Sequence, residues 1–489
     1  MVEFLQAINN VLWSTPVIYI LLLIGLTFSV LTRFLQLRYI KEMFALMFKG
    51  KSSEAGVSSF QALSVALAGR VGTGNIAGVA TAIYYGGPGA VFWMWTIAFL
   101  GASSAFIEST LAQIYKVKQG GLYRGGPAFY IEKGIGIKWF AVLFAIAALL
   151  AMSFLMPGVQ SNSIAVAMNN AFTIPNWVTG LILIVFLALI IFGGIKRIAS
   201  TAAFLVPFMA IGYMIMAIII IALNITEIPA TISLIISSAF GMDSIFGGLL
   251  GSAISWGVIR GIYSNEAGQG TGPHPAAAAE VSHPAKQGLV QAASVYIDTL
   301  LVCSATAFMI LFTGLYNTEA PDGTMIVNNL PGVEVGPGFT QEAINSVFSG
   351  FGTGFVAIAL LFFAFTTIMA YYYIAETNVT YLLRGRQLDW PILLVKLALL
   401  VATFYGALRT ADTAWLLGDI GLGIMVWLNI IAIVILAKPA LRTLKDYERQ
   451  KEEGLDPVFN PKDVDIQNAD FWESYQTDNK QEAQKQQRY

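Results

Sequence analysis

The amino-acid sequence predicts an all-α, polytopic membrane protein, and three observations lead to this fold class. The 489-residue chain is 56% hydrophobic and only 12% charged, about half the charged fraction of an ordinary soluble domain. Its mean hydropathy is +0.68. Apolar runs of about 20 residues recur along the whole chain, and each is long enough to cross about 30 Å of hydrocarbon. A β-barrel would show short alternating segments instead.

The apolar runs predict about eleven membrane-spanning helices. The first run has no basic start and no small-residue cleavage site, so we interpret it as a retained helix and not as a signal peptide. The predicted spans, numbered one to eleven, lie near residues 14–34, 60–85, 88–115, 138–168, 176–194, 200–223, 245–271, 288–314, 353–383, 389–408 and 412–437.

The charges of the loops predict the orientation of the chain. Lys and Arg follow spans one, three, five, seven, nine and eleven, whereas the alternate loops lack them, with Arg409 as the exception. Because basic loops stay in the cytoplasm, this alternation predicts an outside N-terminus and a cytoplasmic C-terminus in the cell membrane. The charged, glutamine-rich tail from residue 438 onward is predicted to be part helix, part disordered and mainly solvated.

Composition and motifs exclude several classes of function. The formal net charge is -1, so nucleic acid is not a predicted partner, and no required protein partner is evident. Cys303 is the only cysteine, which excludes a disulfide within the chain. His274 and His283 share a short loop without a third ligand type, which argues against a metal centre. The sequence contains no hydrolase or nucleotide-binding motif, so no enzyme activity is predicted.

Two spans contain residues that disfavour a continuous helix. Span two carries Gly69, Gly72, Gly74 and Gly78, and span seven is equally rich in glycine. Close helix packing is one explanation, because Gly74 and Gly78 form a small-xxx-small pair. However, each span also carries an arginine within its apolar run, and four complete spans separate the two. Glycine-interrupted spans at corresponding positions of two halves indicate a transporter site built from inverted repeats.

Four longer motifs carry a resemblance to a known family. They read "RVGTGNIAGVATAI", "GGPGAVFWMW", "YRGGPAFYI" and "RGIYSNEAGQGTGPHPAAAA". With them the chain resembles the alanine or glycine:cation symporter family over residues 60–437. The resemblance implies import of a small neutral amino acid, alanine or glycine, with sodium as the coupling ion and no organic cofactor. It also implies the LeuT-type fold of the amino acid–polyamine–organocation superfamily, set in the lipid bilayer.

The resemblance divides the chain into four parts. Residues 1–59 are an additional N-terminal helix and a cytoplasmic loop. Residues 60–243, with spans two to six, form the first five-helix repeat, and residues 244–437, with spans seven to eleven, form the second, inverted repeat. Residues 438–489 are the charged tail.

The break in span two is the expected site for the carboxylate of the amino acid. A broken helix offers free backbone N–H groups and a favourable dipole at the start of its second half, and Gly72, Thr73 and Gly74 are placed to provide them. Similar transporters hold a sodium ion beside this carboxylate, and Asn75 supplies the matching side-chain oxygen. Asn75 as an ordinary helix–helix hydrogen bonder is the alternative.

The ammonium group and the side chain of the substrate are expected at span seven. Backbone carbonyls exposed by a break around Ser252, Ala253 and Ser255 would accept from the ammonium group, helped by Gln160 of span four. The alternative places Gln160 simply at the outer end of its span. The predicted pocket wall combines an aromatic residue at the break, its glycine neighbour and two apolar residues, namely Trp256, Gly257, Ile259 and Met369. A lipid-interface position is the usual alternative for a tryptophan such as Trp256.

The resemblance also implies a second sodium site between spans two and nine. The hydroxyl oxygens would come from Thr366 and Thr367 in "FFAFTTIMAYYY", and the carbonyl oxygens from Ala68, Val71 and Phe363. Adjacent threonines suit a hard cation, which favours oxygen ligands. The alternative is that both threonines bond to the backbone of their own helix.

Charged residues within the spans are costly and require partners. We expect the two arginines to pair with acids of this set and to latch the cytoplasmic side, while snorkelling near the inner face would also account for Glu108 and Glu376. Asp298 would matter if protons were the coupling ion. The set comprises Arg70, Glu108, Arg260, Glu266, Asp298 and Glu376.

Two further expectations complete the prediction. The segment "SNEAGQGTGPHPAAAAE" is predicted as a hinge or gate at the inner end of span seven. Another substrate such as glutamine, proton coupling, or a non-transporting amino-acid sensor remain the alternative functions.

Overall fold

The protein is described by a computed structural model over residues 2–384, 386 and 388–475. The α-helices in this part of the chain are α1 (Val2–Leu12), α2 (Thr15–Leu31), α3 (Leu35–Arg38), α4 (Ile40–Met47), α5 (Ser59–Arg70), α6 (Val79–Gly86), α7 (Gly89–Ile114), α8 (Pro127–Tyr130), α9 (Lys138–Leu150), α10 (Pro157–Phe172), α11 (Asn176–Ile191), α12 (Gly194–Leu223), α13 (Ile228–Ala239), α14 (Leu250–Asn265), α15 (Pro273–Ala278), α16 (Pro284–Val295), α17 (Ser304–Thr313), α18 (Pro337–Val347), α19 (Gly352–Leu382), α20 (Asp389–Ala407), α21 (Ala411–Ile435) and α22 (Ala437–Glu452).

Shorter elements connect or interrupt these helices. Four π-helical segments are Gly74–Gly78, Ile131–Ile135, Ala151–Leu155 and Tyr296–Cys303, and two 3-10 turns are Ile225–Glu227 and Gly247–Leu249. The antiparallel strands β1 (Val117–Gln119) and β2 (Leu122–Arg124) form one hairpin, and β3 (Asn317–Glu319) and β4 (Met325–Asn328) form another. In the register of the first hairpin Lys118 lies opposite Tyr123.

Eight helices within the described residues are long and apolar enough to cross a membrane. They are Val2–Leu31, Gly89–Ile114, Lys138–Phe172, Gly194–Leu223, Pro284–Thr313, Gly352–Leu382, Asp389–Ala407 and Ala411–Ile435. These correspond to predicted spans one, three, four, six, eight, nine, ten and eleven. Predicted span five is a 16-residue helix, Asn176–Ile191, and spans two and seven are each divided by irregular backbone.

The exterior of the bundle is apolar and the interior holds the polar groups. The helices α11 and α12 expose large apolar side chains such as Phe186, Phe204 and Phe208, as lipid-facing helices do. In contrast, α7 and α19 lie at the centre, where α7 packs against α14, α15 and α16, and α19 packs against α5, α10 and α12. Buried polar side chains in a membrane protein face the interior of the bundle, so a functional site is expected between these central helices.

The predicted break in span two is confirmed. Helix α5 ends at Arg70, and the backbone of Val71 has a ψ of 86°, outside the helical region. The π-helical segment Gly74–Gly78 then leads into α6. Gly72 allows a close approach at this break, because a Cβ atom built on it would lie 2.4 Å from Thr367 Oγ1.

The predicted position of the break in span seven is wrong. Ser252, Ala253 and Ser255 lie within the continuous helix α14, whereas the backbone leaves the helix only at Glu266. Glu266 adopts the left-handed region with a φ of 55°, and Gly268 and Gly270 follow with φ values of 80° and 87°. The helix resumes as α15. The segment predicted as a hinge at the inner end is therefore the break itself.

The earlier glycines of span seven have a different role. A Cβ atom built on Gly257 would lie 2.5 Å from the Ala90 carbonyl oxygen, and one on Gly261 would lie 2.4 Å from Ile97 Cγ2. Both contacts are with α7. These glycines allow α14 and α7 to approach closely. For this half of span seven, the explanation by close helix packing therefore applies.

The described part of the tail, residues 438–475, is folded against the membrane domain rather than solvated, and residues 476–489 lie outside the described residues. Helix α22 continues from the last span, and residues 455–475 fold back over the ends of the bundle. Trp472 is fully buried there, and its Nε1 donates to the Gln113 carbonyl at 2.8 Å. The charged composition predicted a solvated tail. The segment is folded because a few aromatic residues are buried against the bundle.

One glycine contact between spans four and ten can be tested. A Cβ atom on Gly406 would lie 2.2 Å from Gly158 Cα, so Gly406→Ala forces α20 and α10 apart. We expect a loss of about 1–3 kcal/mol of stability, the usual cost of overpacking. Thermal denaturation in detergent measures this. Gly212→Ala in α12 is the control, because a Cβ there meets nothing within 4 Å, and an equal loss in both variants would contradict the packing argument.

Candidate substrate and ion site

The breaks of spans two and seven lie against each other in the centre of the bundle. A Cβ atom built on Gly74 would lie 3.0 Å from Ser264 Cα and 3.2 Å from Tyr263 Cδ1. A Cβ atom built on Gly69 would lie 3.2 Å from Glu266 Oε2. All of these residues are buried. The glycines of span two therefore let the backbones of the two broken helices meet.

The backbone N–H groups released by the first break are held by side-chain oxygens. The N–H of Gly72 donates to Asn75 Oδ1 at 2.8 Å, and the N–H of Thr73 donates to Gln160 Oε1 at 3.0 Å. Gln160 Nε2 in turn donates to the Tyr371 hydroxyl at 3.3 Å. Gln160 thus contacts the break of span two, whereas it was predicted beside the ammonium group at span seven, and two amide oxygens occupy positions that suit a carboxylate.

Buried polar atoms at both breaks lack a hydrogen-bond partner within the described residues. They include the hydroxyl oxygen of Thr73 in span two and Oε1 of both Glu266 and Gln269 in span seven. Burying a polar group without a partner costs free energy, so such atoms at a break indicate a position where a polar ligand would bind.

Four of the five residues predicted for the second sodium site come together. The hydroxyl of Thr367 donates to the Ala68 carbonyl oxygen at 2.8 Å and to the Phe363 carbonyl oxygen at 3.0 Å. The hydroxyl of Thr366 donates to the same Phe363 oxygen at 2.9 Å. Bonds within the threonines' own helix and a bond across to span two are therefore both present. Val71 caps the end of α5 next to this group.

A second oxygen cluster surrounds the buried carboxylate of Asp298. Asn75 Nδ2 donates to Asp298 Oδ1 at 2.6 Å, while the hydroxyls of Ser264 and Thr299 donate to Oδ2 at 2.9 Å and 2.8 Å. Asp298 lies in the π-helical segment Tyr296–Cys303, a form of helix that is frequent at functional sites. Among the described residues, no basic side chain forms an ion pair with Asp298.

Ser264 and Thr299 were not predicted, and Asp298 was expected only as a partner of the arginines or as a proton site. The available signal was an aspartate inside an apolar run followed directly by a threonine. Their proximity to Asn75 could not be read from the sequence, because it depends on how span eight packs against both breaks.

Arg260 pairs with Asp419, which the sequence analysis did not consider. Its guanidinium forms two parallel hydrogen bonds with the Asp419 carboxylate, at 2.9 Å and 2.8 Å. The rings of Trp256, Tyr263 and Trp415 lie around the guanidinium, at 5.1, 5.6 and 4.3 Å from the ring centres. The predicted acidic partners are therefore wrong for Arg260. The pair belongs to the half of span seven that precedes the break.

The other intramembrane charges also differ from expectation. Arg70 contacts Gln291 and Ser294, and no carboxylate of the described chain lies within ion-pair distance of it. Glu108 is buried rather than snorkelling, and its carboxylate accepts from the N–H groups of Gly268 and Gly270 at 3.2 Å and 3.1 Å. Glu108 thus holds the irregular backbone of span seven.

The acid predicted near the inner face is paired rather than free. Glu376 forms an ion pair with Arg124 at 2.9 Å, and its side chain is only 10% exposed. The pairing connects the long helix α19 to the hairpin strand β2. The ion pair, and not snorkelling, therefore explains the presence of this buried carboxylate.

Three predicted pocket residues, Ser252, Trp256 and Gly257, contact helices α6 and α7 instead of the breaks. The Ser252 carbonyl oxygen lies near the end of α6, at 3.1 Å from a Cβ built on Gly86, and Gly257 packs on α7. Trp256 stacks on Tyr85 with ring centres 4.5 Å apart. Ile259 and Met369 are buried in the core of the bundle. The aromatic residue in contact with the break is instead Tyr263.

Two discontinuous helices meeting at a buried polar centre, inside a bundle with an apolar exterior, define a polytopic membrane transporter. The comparison with known families agrees with this class. The chain belongs to the sodium:alanine symporter family, whose family model matches residues 1–461. It is therefore a transporter and not an enzyme.

Curated relatives cover almost the whole chain. A protein of Bacillus subtilis (strain 168), provisionally named a sodium/proton-dependent alanine carrier protein, is 74% identical over 98% of this chain and 99% of its own length. A sodium/proton-dependent alanine carrier protein of Bacillus sp. (strain PS3) is 57% identical over 88% of this chain and 97% of its own length. Among solved structures, a Na+-coupled sialic acid symporter is 13% identical with a TM-score of 0.48, covering 90% of this chain and 86% of that chain.

The ion pair between Arg260 and Asp419 predicts a strong effect on stability. Asp419→Asn leaves a buried guanidinium without its counter-charge, which costs about 3–5 kcal/mol when such a pair is broken. Thermal denaturation in detergent should show a large drop. The control is Asp465→Asn, which removes an exposed partner of Arg442 and should change little, because surface pairs contribute weakly. Equal stability of the two variants would contradict the role of this pair.

Proposed function

We propose that this chain is a sodium-coupled symporter that imports a small neutral amino acid, alanine or glycine, across the cell membrane by alternating access. The observation that carries the proposal is the contact between two broken helices. In span two, backbone N–H groups donate to side-chain oxygens that a ligand can replace. One cluster of oxygen atoms lies around Asp298, and another lies around the hydroxyls of Thr366 and Thr367. The names of the two alanine carriers described above support alanine as the first substrate to test.

The carboxylate of the amino acid binds at the break of span two. In the described conformation Gln160 Oε1 accepts from the N–H of Thr73. We infer that the substrate carboxylate takes this place, next to Gly72 and Gly74, where the absence of side chains allows close approach. The start of the helix that follows favours negative charge.

The ammonium group and the side chain of the substrate meet the break of span seven. Oε1 of Gln269, which lacks a partner, and the amide oxygen of Gln160, once released from Thr73, are the acceptors that we assign to the ammonium group. Tyr263, which packs against Gly74, limits the space for the side chain. Trp256 precedes the break at Glu266 by ten residues, or about 15 Å of helical rise, and so lines the path rather than the pocket.

The first sodium ion binds at Asp298. When ionised, its buried carboxylate carries a negative charge without a basic partner among the described residues. The hydroxyl oxygens of Ser264 and Thr299 lie beside it, and Asn75 contacts it through Nδ2. A hard cation with oxygen ligands would neutralise this charge. Because Asn75 also holds the N–H of Gly72, an ion here would be linked directly to the substrate position.

The second sodium ion binds between spans two and nine. The carbonyls of Ala68 and Phe363 and the hydroxyls of Thr366 and Thr367 form the ligand set, with Val71 as a further carbonyl donor. An ion at this position would hold α5 against α19. Both ions would therefore stabilise a closed arrangement of the broken helices, which gives a physical reason for coupling.

The LeuT-type arrangement is part of this proposal. Each break interrupts the first helix of a five-span repeat, residues 60–243 and 244–437. In this arrangement the N-terminus lies outside, the C-terminus lies in the cytoplasm, and the pair of Arg260 and Asp419 covers the outer path. A cavity of about 570 Å³ lined by Asn162, Asn169 and Trp415 leads to this pair and would be the outer vestibule.

Uptake in proteoliposomes tests the proposal. The purified chain is reconstituted, and uptake of labelled alanine, glycine and glutamine is measured with an inward sodium gradient, a potassium gradient and a proton gradient. We expect sodium-driven accumulation of alanine or glycine. Accumulation that does not depend on the sodium gradient would refute sodium coupling. Preferential uptake of glutamine would refute alanine or glycine as the substrate. Binding without any accumulation would indicate a sensor.

The two sodium sites make separate predictions about ion dependence. Asp298→Asn, and Thr366→Ala combined with Thr367→Ala, should each raise the sodium concentration for half-maximal alanine uptake at least about tenfold, since the loss of one charged or coordinating ligand is worth about 1.4 kcal/mol or more. Uptake at varied sodium concentration measures this.

Thr377→Ala is the matched control for the threonine pair. Thr377 is a buried threonine of the same helix, and its hydroxyl donates to the Tyr373 carbonyl at 2.9 Å. Its replacement should leave the sodium dependence unchanged. If the double threonine variant keeps its sodium dependence as well, Ala68 and Phe363 do not form an ion site.

A further inference from the structure

The end of the chain forms a strap across one side of the bundle. We call residues 455–475 the strap. It follows α22 and is anchored by aromatic residues, since Trp472 is fully buried and its ring packs on Phe459 and Phe471 with ring centres 5.3 and 5.4 Å apart. The side chain of Lys116 lies over the rings of Phe471 and Trp472, at 4.5 Å and 5.0 Å from their centres.

The strap contacts the loop that follows the second half of span seven. Its backbone bonds to this loop through the N–H of Phe459, which donates to the Ser282 carbonyl at 2.9 Å, and the Ser282 hydroxyl donates to the Pro457 carbonyl at 2.8 Å. Lys286 and Asp456 form an ion pair at 2.6 Å. The strap therefore holds this loop at Ser282 and at Lys286.

A second layer of contacts connects the strap to α15 itself. Trp472 donates to the carbonyl of Gln113, whose side chain donates to the carbonyls of Ala276 and Ala279 at 2.5 Å and 3.0 Å. Lys116 donates to the same Ala279 carbonyl at 3.1 Å. The end of α15 is thus fixed by residues that the strap covers.

Helix α22 fixes the start of the strap and the N-terminal part of the chain. Glu448 pairs with Arg33 and Arg38 at 2.5 Å and 2.7 Å. His283 lies between Tyr447 and Phe459, with ring centres 5.2 and 5.5 Å away. Burial lowers the pKa of His283, its Nδ1 accepts from the N–H of Ala285 at 3.2 Å, and its Nε2 lies 3.3 Å from Asp446 Oδ2.

The segment before the broken span two is tied to the same loop. The N–H of Val57 donates to the Ala278 carbonyl, and the N–H of Glu280 donates to the Val57 carbonyl, both at 2.9 Å. The half-helices α5 and α15, which flank the proposed site on this side, are therefore joined at one point. The strap covers that point.

We propose that the strap is a conformational lock that holds α5 and α15 together and must release before the site opens to the cytoplasm. The inference rests on the alternating access of the proposed function. An opening on this side requires the half-helices to separate from α7 and α19, and the loop at residues 279–286 cannot move away while Phe459, Trp472 and Asp456 hold it. The strap therefore sets the population of the inward-open state.

Cysteine accessibility tests the lock in reconstituted full-length protein. Cys303→Ala removes the only native thiol, and Ala370→Cys places a reporter on α19 where it packs against Gly69, since a Cβ on Gly69 would lie 3.6 Å from Ala370 Cβ. Phe471→Ala with Trp472→Ala should increase the rate of labelling by a membrane-impermeant maleimide from the cytoplasmic side about tenfold, as expected when a minor state becomes well populated.

Matched variants separate the lock from a general loss of stability. Leu455→Ala with Val458→Ala removes apolar side chains of the strap that are 54% and 53% exposed, and should leave the labelling rate unchanged. A chain that ends at Gly454 lacks the strap and should label fast, whereas one that ends at Tyr475 keeps it and should label slowly. Thermal denaturation of each variant confirms that it is folded.

The outcomes distinguish the two proposals. If the strap variants have lower thermal stability but an unchanged labelling rate, the lock is overturned. The strap would then only stabilise the fold. Faster labelling in a protein that fails to accumulate alanine or glycine would overturn the proposed function but keep the lock. Faster labelling of the control variants together with the strap variants would also overturn the lock, because the effect would then not depend on the buried rings.

Discussion

The structure depends on how the backbone groups released by two broken helices are satisfied without water. In lipid, each unpaired N–H or carbonyl group costs several kcal/mol, so a break can exist only where side chains replace the lost helical bonds. Asn75 and Gln160 do this for Gly72 and Thr73, and Glu108 does it for Gly268 and Gly270. The bundle around the breaks provides these few side chains at the required places.

This constraint also explains why the site is polar yet enclosed. The same oxygen atoms that satisfy the backbone are suitable ligands for a zwitterion and for sodium. A ligand that enters does not create new polar surface but exchanges partners with side chains already present. Such an exchange keeps the number of unpaired groups low in every state, which a membrane-embedded site requires.

The sequence predicted the fold class, most of the spans and the break of span two, because apolar length and local glycine content are properties of neighbouring residues. It also predicted the meeting of Ala68, Phe363, Thr366 and Thr367, but only through a family resemblance.

The break of span seven was misplaced because glycine has two uses. At Gly257 and Gly261 it permits helix contact, and at Gly268 and Gly270 it permits positive φ. Composition does not distinguish these uses. The partner of Arg260 lies 159 residues away in the sequence, so no local pattern indicates it. The prediction that the tail is mainly solvated is wrong for its described residues, because the charged residues outnumber the few aromatic residues that fold it.

The buried position of Arg70 has a consequence for how the protein is made. An arginine near the centre of an isolated span costs about 2.5–3.5 kcal/mol on entry into the bilayer. Its hydrogen-bond partners, Gln291 and Ser294, lie in span eight, which is synthesised much later. The cost of burying Arg70 is therefore offset only after span eight has been synthesised and has packed against span two. Folding around this arginine is completed by a segment that lies 221 residues later in the chain.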